Sequence, residues 1–371
     1  KKQPGVRCGS HSIQGYIRSD PSKVNQDSRV ELPSIPSEPS ASIFGVLDGH
    51  GANGHSISQH IAKYIVDSVG KQRQRLRRTP QKHLGCIIDD VVAQLRSVQA
   101  AVRNGVARKG TELEASHSGT TAVVSLKLRG RLHTANVGDS RAIICRLKKE
   151  EQRDSGADAD IDAVSSKEGG GKPDKHTSRM KVERMRAQGM DLEVIALSKD
   201  HKPDDPKEKK RILKAGGRVM ALGPKQPMRV FGAAGFGLAV SRSLGDFALH
   251  PFVSNEPDIT EHVLQREDLF AVWASDGVWE YMGNLEVARM IVESDALATG
   301  GLDAAARMVC NRAREMWKAQ TDGAYQDDIT CVIAQLNDVP EEAAGDRASI
   351  QRTRSVSDGV ASTCTEILGT E

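Results

Sequence analysis

Apolar positions in this chain form short runs, and two of them stop abruptly at an aspartate. Ile43, Phe44, Val46 and Leu47 make a strand-like run within Ser42 to Leu47 that ends in Asp48-Gly49-His50-Gly51. Leu269 to Ala274 is a second such run, ending in Ser275-Asp276-Gly277. Between them the period changes. Ile57, Ile61, Ile65 and Val69 recur every four residues, and Leu84, Ile87, Ile88, Val91, Val92, Leu95, Val98 and Val102 keep a helical period for several turns. Both stretches predict helices with one buried face. Thr120 to Leu128 and Arg131 to Leu147, rich in β-branched residues and separated by Gly130, predict an antiparallel hairpin followed by a further strand.

From Lys148 to Asp191 the chain is charged, contains Gly169-Gly170-Gly171 and offers little to bury, so a flexible insertion is expected at 148–191. Order resumes at Leu192 to Leu197. Leu302, Ala305, Ala306, Val309, Ala313 and Met316 share one face of a helix ending at Trp317, and Ile329 to Leu336 is a last strand. Past Asn337 the sequence is polar, and residues 338–371 are expected to form a disordered tail. In that tail, Arg352-Thr353-Arg354-Ser355-Val356-Ser357 places basic residues just before serines, a pattern that suits a basophilic kinase.

Composition narrows the class. With 371 residues, 38% hydrophobic and 27% charged, the chain has the apolar content for one large or two smaller globular units. Its formal charge is only +3, and the basic stretch Lys71 to Arg78 has no interleaved aromatics, so no nucleic-acid footprint is expected. The six cysteines are widely spaced and lack a Cys-x-x-Cys pair, as in a reducing compartment. No apolar run nears the roughly 20 residues of a membrane span. Lys1 to Asp20 has no signal-peptide core. A cytoplasmic or nuclear location is expected, with an upstream targeting segment left open because the chain begins at Lys1.

Several chemistries are excluded by what is missing. No cysteine is followed six positions later by arginine, as a cysteine-based phosphatase requires. The Gly-Asp pairs at Gly138 and Gly245 do not continue into the His/Asp blocks of calcineurin-like metallophosphatases, and no Gly-x-x-x-x-Gly-Lys-Ser/Thr loop exists. What remains is aspartate in glycine-flanked turns: Asp27, Asp48, Asp139, Asp246, Asp276 and the pair Asp327-Asp328. Any one of these is ordinarily a turn or N-cap residue. Taken together they offer the carboxylate oxygens that hard divalent cations prefer.

The order and wording of nine blocks resemble the protein phosphatase type 2C (metal-dependent PPM) family, from about Gly15 to Leu336. They are Asn25-Gln26-Asp27; Phe44 to Gly51; Ser118-Gly119-Thr120-Thr121-Ala122; Ala135 to Ala142; Asp200-His201-Lys202-Pro203; Arg211-Ile212 with Ala215-Gly216-Gly217; Leu238 to Asp246; Ala274 to Glu280; and Asp327-Asp328-Ile329-Thr330. The resemblance implies an α+β fold, a β-sandwich of two antiparallel sheets flanked by helices in αββα layers, with metals at one end of the sandwich. It implies a catalytic domain over 1–337 with a flap at 200–247, and hydrolysis of phosphoserine and phosphothreonine on proteins by water activated between two Mg²⁺ or Mn²⁺ ions.

By the same resemblance Asp48 bridges both metals, Gly49 offers its carbonyl, Asp27 binds through water, and Asp276 and Asp327 complete the second site. His50 matches the general acid. Asp139 and Glu280 match a possible third metal site, although Asp139 would equally suit an ion pair with Arg141. Asp246 is left as structural. The chain departs from the common pattern at Gln26, where many members have Glu, and at Asp328, where Asn is common. It also departs at Ser22, where many have a phosphate-binding arginine; Lys23 and, more distantly, Arg18 are the substitute cations. A monomer acting on phosphoprotein substrates, with no membrane span, is expected. The competing reading is a non-catalytic relative that binds phosphoproteins, and it sits poorly with a full set of aspartates.

Overall fold

The central strands in this protein are buried on both faces, which is why they read in the sequence as continuous apolar runs. In the computed structural model, which describes residues 5–20, 22–71, 78–104, 112–148, 192–224, 226–232, 235–294, 296–299 and 301–336, β4 (Ser42–His50) turns Ile43 and Leu47 toward one core and Phe44 and Val46 toward another. The expected insertion and the expected tail lie outside the described residues, save for Lys148.

Two antiparallel sheets stack face to face. The first runs β1 (Cys8–Ile13), β17 (Ile329–Gln335), β15 (Asp268–Ala274), β8 (Arg141–Leu147), β9 (Leu192–Ala196). The second runs β13 (Leu244–Gly245), β5 (Gly119–Thr120), β4, β6 (Ala122–Leu128), β7 (Arg131–Val137), β14 (Asp258–Val263), with β3 (Asp27–Leu32) also paired to β4. Phe44, Val46, Val123, Ala142, Ile144, Trp273 and Val332 fill the space between the sheets. The Phe44 and Trp273 rings lie 5.4 Å apart, and Trp273 Nε1 donates to Ser125 Oγ at 2.8 Å, so the one polar atom of that core residue is satisfied.

Helices cover both outer faces, giving the αββα sandwich anticipated above. The periodic residues Ile57, Ile61, Ile65 and Val69 of α1 (Gly54–Val69) and Leu84, Ile87, Ile88, Val91 and Leu95 of α2 (Pro80–Arg103) all pack on the second sheet. A third helix, α3 (Pro206–Lys214), stands beside the sandwich. On the first sheet lie α4 (Asp276–Trp279), α5 (Asn284–Glu293), a single turn at Ala296–Thr299, and α6 (Leu302–Gln320), which buries Leu302, Ala305, Ala306, Val309, Ala313 and Trp317.

The predicted hairpin and following strand are present, but they divide between the sheets. Arg129 and Gly130, both at positive φ, turn β6 into β7, whereas Gly138 to Ser140 carries the chain across the sandwich into β8. That crossing places Asp139 at the edge where both sheets end. α3 and a three-stranded ribbon, β10 (Arg218–Ala221), β11 (Met228–Phe231) and β12 (Gly237–Leu238), all within the expected flap, form a satellite around Ile212 and Val230 together with Leu249 and Val253 just beyond it. A two-stranded ribbon of β2 (Tyr16–Ile17) and β16 (Tyr325–Gln326) borders the same end. Among the described residues no helix is long and apolar enough to cross a membrane.

Candidate metal centre

Four aspartates distant in sequence meet where the strands end. Asp27 opens β3 and lies directly opposite Asp48 near the end of β4. Ala274 at the end of β15 pairs with Cys331 of β17, which brings Asp276, just after β15, close to Asp327, just before β17. Ser275 ties the two sheets together here: its Oγ donates to Asp27 Oδ2 at 2.8 Å and accepts from Thr330 N at 3.0 Å, and its N donates to Thr330 O at 3.1 Å.

The turn after Asp48 leaves no room for side chains. A Cβ on Gly49 would stand 2.4 Å from Gly54 O and 2.6 Å from Gln26 O, and Gly51 sits at φ +81°. Gln26 knits this turn: its O accepts from Gly49 N and Ser58 Oγ, and its Nε2 donates to Gly51 O at 2.7 Å. Asp328 acts as a bracket, accepting from Gly15 N at Oδ1 and from Gln26 N and Lys23 Nζ at Oδ2.

Crowded carboxylates resist ionisation. Burial and then the charges of Asp27, Asp276, Asp327 and Asp139 push Asp48 well above the ordinary carboxylate range. Asp276 is raised in the same way, by burial and then by Asp139 and Asp327, with Lys202 opposing. Burial, followed by Asp328 and Asp327, lifts Asp27 to about 7 against hydrogen bonds from Thr330 and Ser275. Asp327 is raised chiefly by burial, although Tyr325 donates to its Oδ2 at 2.9 Å and Asp328 N to its Oδ1 at 2.8 Å.

Asp27 Oδ1 and Asp276 Oδ1 are buried without a hydrogen-bond partner. Such oxygens are costly unless something electropositive meets them. As the side chains stand, no three acidic, His or Cys groups among the described residues converge on one cation position, and Asp48 and Asp276 instead hydrogen-bond to each other. The donor set is nonetheless all oxygen, anionic and under-compensated, which suits a hard divalent cation.

The other sequence candidates are placed as follows. Asp139 is ion-paired with Lys202, not with Arg141, which instead makes a two-pronged bond to Asp200 at 2.8 and 2.7 Å. The arginine is drawn away because β8 aims it toward Asn284 and the Trp279 ring. Glu280 is exposed at the end of α4, and its N donates to Asp276 O. Lys23 Nζ lies 2.6 Å from Asp328 Oδ2, and Arg18 is exposed, its N donating to Ala324 O.

His50 closes the site. Its Nε2 is 2.6 Å from Asp246 Oδ2, and its side chain keeps 24% exposure. Burial alone would lower its pKa, but the charge and hydrogen bond of Asp246, with the charge of Asp139, hold it above the usual value. Sequence reasoning gave no role to Asp246, Tyr325, Ser275 or Lys202. Asp246, Ser275 and Lys202 did stand in matching blocks, yet only the fold shows what they face.

Comparison with known proteins supplies the family. A family model described as "Protein phosphatase 2C" matches residues 9–157 and 187–321. The chain belongs to the protein phosphatase 2C family. It is therefore a protein phosphatase, and the match spans Asp27, Asp48, Asp139, Asp276 and Glu280, stopping before Asp327. Among curated relatives, "Probable protein phosphatase 2C 59" of Oryza sativa subsp. japonica is 30% identical over 317 residues, 83% of this chain and 71% of the relative. "Probable protein phosphatase 2C 48" of the same organism is 26% identical over 332 residues, 85% of this chain and 81% of that one. In fold, the phosphatase is similar to a serine-threonine phosphatase 2C from Toxoplasma gondii, with TM-score 0.64, 16% identity, and coverage of 90% of this chain and 95% of the other.

Proposed function

We propose that this phosphatase hydrolyses phosphoserine and phosphothreonine on proteins and depends on two divalent cations, Mg²⁺ or Mn²⁺. The observation that carries this reading is the pair of buried, unpartnered oxygens on Asp27 and Asp276, set among further carboxylates that burial and mutual repulsion keep from ionising. Asp48, Asp276, Asp327 and the Gly49 carbonyl would hold the ions, with Asp27 acting through water. Asp139 and Glu280 would hold a third, in which case Lys202 must release Asp139. When bound, the ions would lower the pKa of a coordinated water and offset phosphoryl charge.

The protein's own side chains do the rest. His50 donates a proton to the departing seryl or threonyl oxygen, and the charge and hydrogen bond of Asp246, which raise its pKa against burial, favour the protonated form that role needs. Lys23 has two N–H groups beyond the one given to Asp328 and supplies phosphate contact at that edge, with Arg18 farther out. Phosphate release from phosphothreonine peptides and p-nitrophenyl phosphate, assayed with Mn²⁺ or Mg²⁺, tests the reading. Activity should vanish in Asp48→Ala and Asp276→Ala, and undiminished turnover in saturating EDTA would sink the metal requirement.

A further inference from the structure

Asp246 is 1% exposed and occupies the N-cap position of a short 3₁₀ turn, Phe247–Leu249, yet its side chain makes no capping hydrogen bond. An aspartate at that position ordinarily turns back onto the helix N–H groups. This one reaches the other way. Its Oδ2 accepts from Ser243 Oγ at 2.5 Å and meets His50 Nε2 at 2.6 Å.

The backbone is arranged to allow that reach. Asp246 itself adopts φ +49° after Gly245 at φ +122°, a left-handed pair that a β-carbon resists. Strand pairing sets Gly119 between His50 of β4 and Gly245 of β13. A Cβ on Gly119 would stand 2.4 Å from Asp246 Oδ2, so the missing side chain is the window through which carboxylate and imidazole meet. The loop is fixed from behind as well: Asn255 Nδ2 donates to Ser243 O and Gly245 O, and Arg242 is locked onto Glu208 of α3. Conformational strain held by such a surround is a mark of function more than of packing.

We propose that Asp246 is the positioning residue of the general acid, accepting the Nε2–H of His50 so that Nδ1 is the nitrogen that delivers the proton. As the phosphorus–oxygen bond to serine or threonine breaks, its electron pair stays on that oxygen and takes the Nδ1 proton. The new bond to phosphorus comes from water, and His50 is left as the neutral imidazole that keeps Nε2–H, the tautomer Asp246 selects. This inference rests on the general-acid role given to His50 above.

The test compares Asp246→Asn, His50→Gln and the double variant on a phosphothreonine peptide, whose leaving group is poor, and on p-nitrophenyl phosphate, whose leaving group needs no proton. Asp246→Asn should lower kcat on the peptide about 10- to 100-fold and on the aryl ester by less than about 3-fold, with the double variant no slower than His50→Gln. Histidine-labelled ¹⁵N spectra of the full chain, recorded at a pH high enough to leave the imidazole neutral and with His50 assigned by its loss in His50→Gln, should show Nε2 protonated in the wild type and the tautomer redistributed in Asp246→Asn. If Asp246→Asn does not fold, Ser243→Ala should show the same selective defect in smaller degree. A peptide rate equal to wild type, an equal loss on both substrates, or an unchanged tautomer overturns the assignment to Asp246. If His50→Gln itself shows no leaving-group dependence, the general-acid reading falls first and this inference with it.

Discussion

Replacing Asp276 with asparagine should abolish turnover and yet make the metal-free protein more stable. Asp276 Oδ1 is buried without a protein partner, and the carboxyl faces Asp48, Asp139 and Asp327. An unsatisfied buried polar atom costs about 1 to 3 kcal/mol. Asparagine removes the charge, keeps the shape and donates to Asp48, where Asp276 now has to share a proton. For a domain of this size about 1 kcal/mol moves Tm by roughly 2 °C, so Asp276→Asn in EDTA should melt roughly 2 to 6 °C above wild type.

The pH dependence has a definite sign. Because folding raises the pKa of Asp276, the native state binds more protons than the unfolded one, and wild-type stability falls as pH climbs from about 4 through the raised values. The advantage of Asp276→Asn should thus be present at pH 8 and absent near pH 4. With Mn²⁺ the order reverses. Free ion at 100 times its dissociation constant stabilises wild type by about 2.7 kcal/mol per site, roughly 5 °C, and the variant by much less. Scanning calorimetry at pH 4, 6 and 8, with EDTA and with Mn²⁺, reads all three. A variant that melts below wild type in EDTA at pH 8 would refute the view that these carboxylates are held together against their own repulsion.

Two other substitutions probe the surroundings. Lys23→Ala strips the charged partner from buried Asp328 and leaves it only the N–H groups of Gly15 and Gln26, so stability should fall by about 3 kcal/mol in urea denaturation, and the loss of a phosphate donor should raise KM severalfold; an unchanged KM would confine Lys23 to its structural pair. Glu208→Gln breaks the acceptor shared by Arg211, Arg242 and Ser241. Although burial opposes it, the hydrogen bonds of Arg242 and Arg211 bring the Glu208 pKa down to about 2, so its contribution is complete above the ordinary value and fades as pH falls toward 2. Acid titration of Tm should therefore be flatter in Glu208→Gln than in wild type over that range.

Much of the scaffold was legible because burial leaves a local record. The four-residue spacing of Ile57 to Val69 and the apolar runs at Ser42, Leu269 and Ile329 named a helix and three strands, and each is present. Cys8–Ile13 and Asp258–Val263 were not legible. They are edge strands with few buried side chains, so neither alternation nor an apolar run marks them. The same holds for α3, whose helix buries only Glu208 and Ile212 and holds Glu208 by ion pairs from its own Arg211 and from Arg242 of a distant loop.

At the site the division has the same origin. The sequence named Asp27, Asp48, Asp139, Asp276 and Asp327 through the order of the blocks that resemble type 2C phosphatases, and at Asp48, Asp139 and Asp276 an adjacent glycine adds a local mark. Which partner each one meets is a matter of non-local pairing. The crossing at Gly138–Ser140 moves Arg141 to Asp200 and leaves Asp139 to Lys202. The register of β13 on β5, and of β5 on β4, sets Asp246 across the gap at Gly119 from His50. Residues that far apart in the chain are brought within 2.6 Å only by strand pairing, so the chemistry could be listed from the sequence but its pairings were decided by the fold.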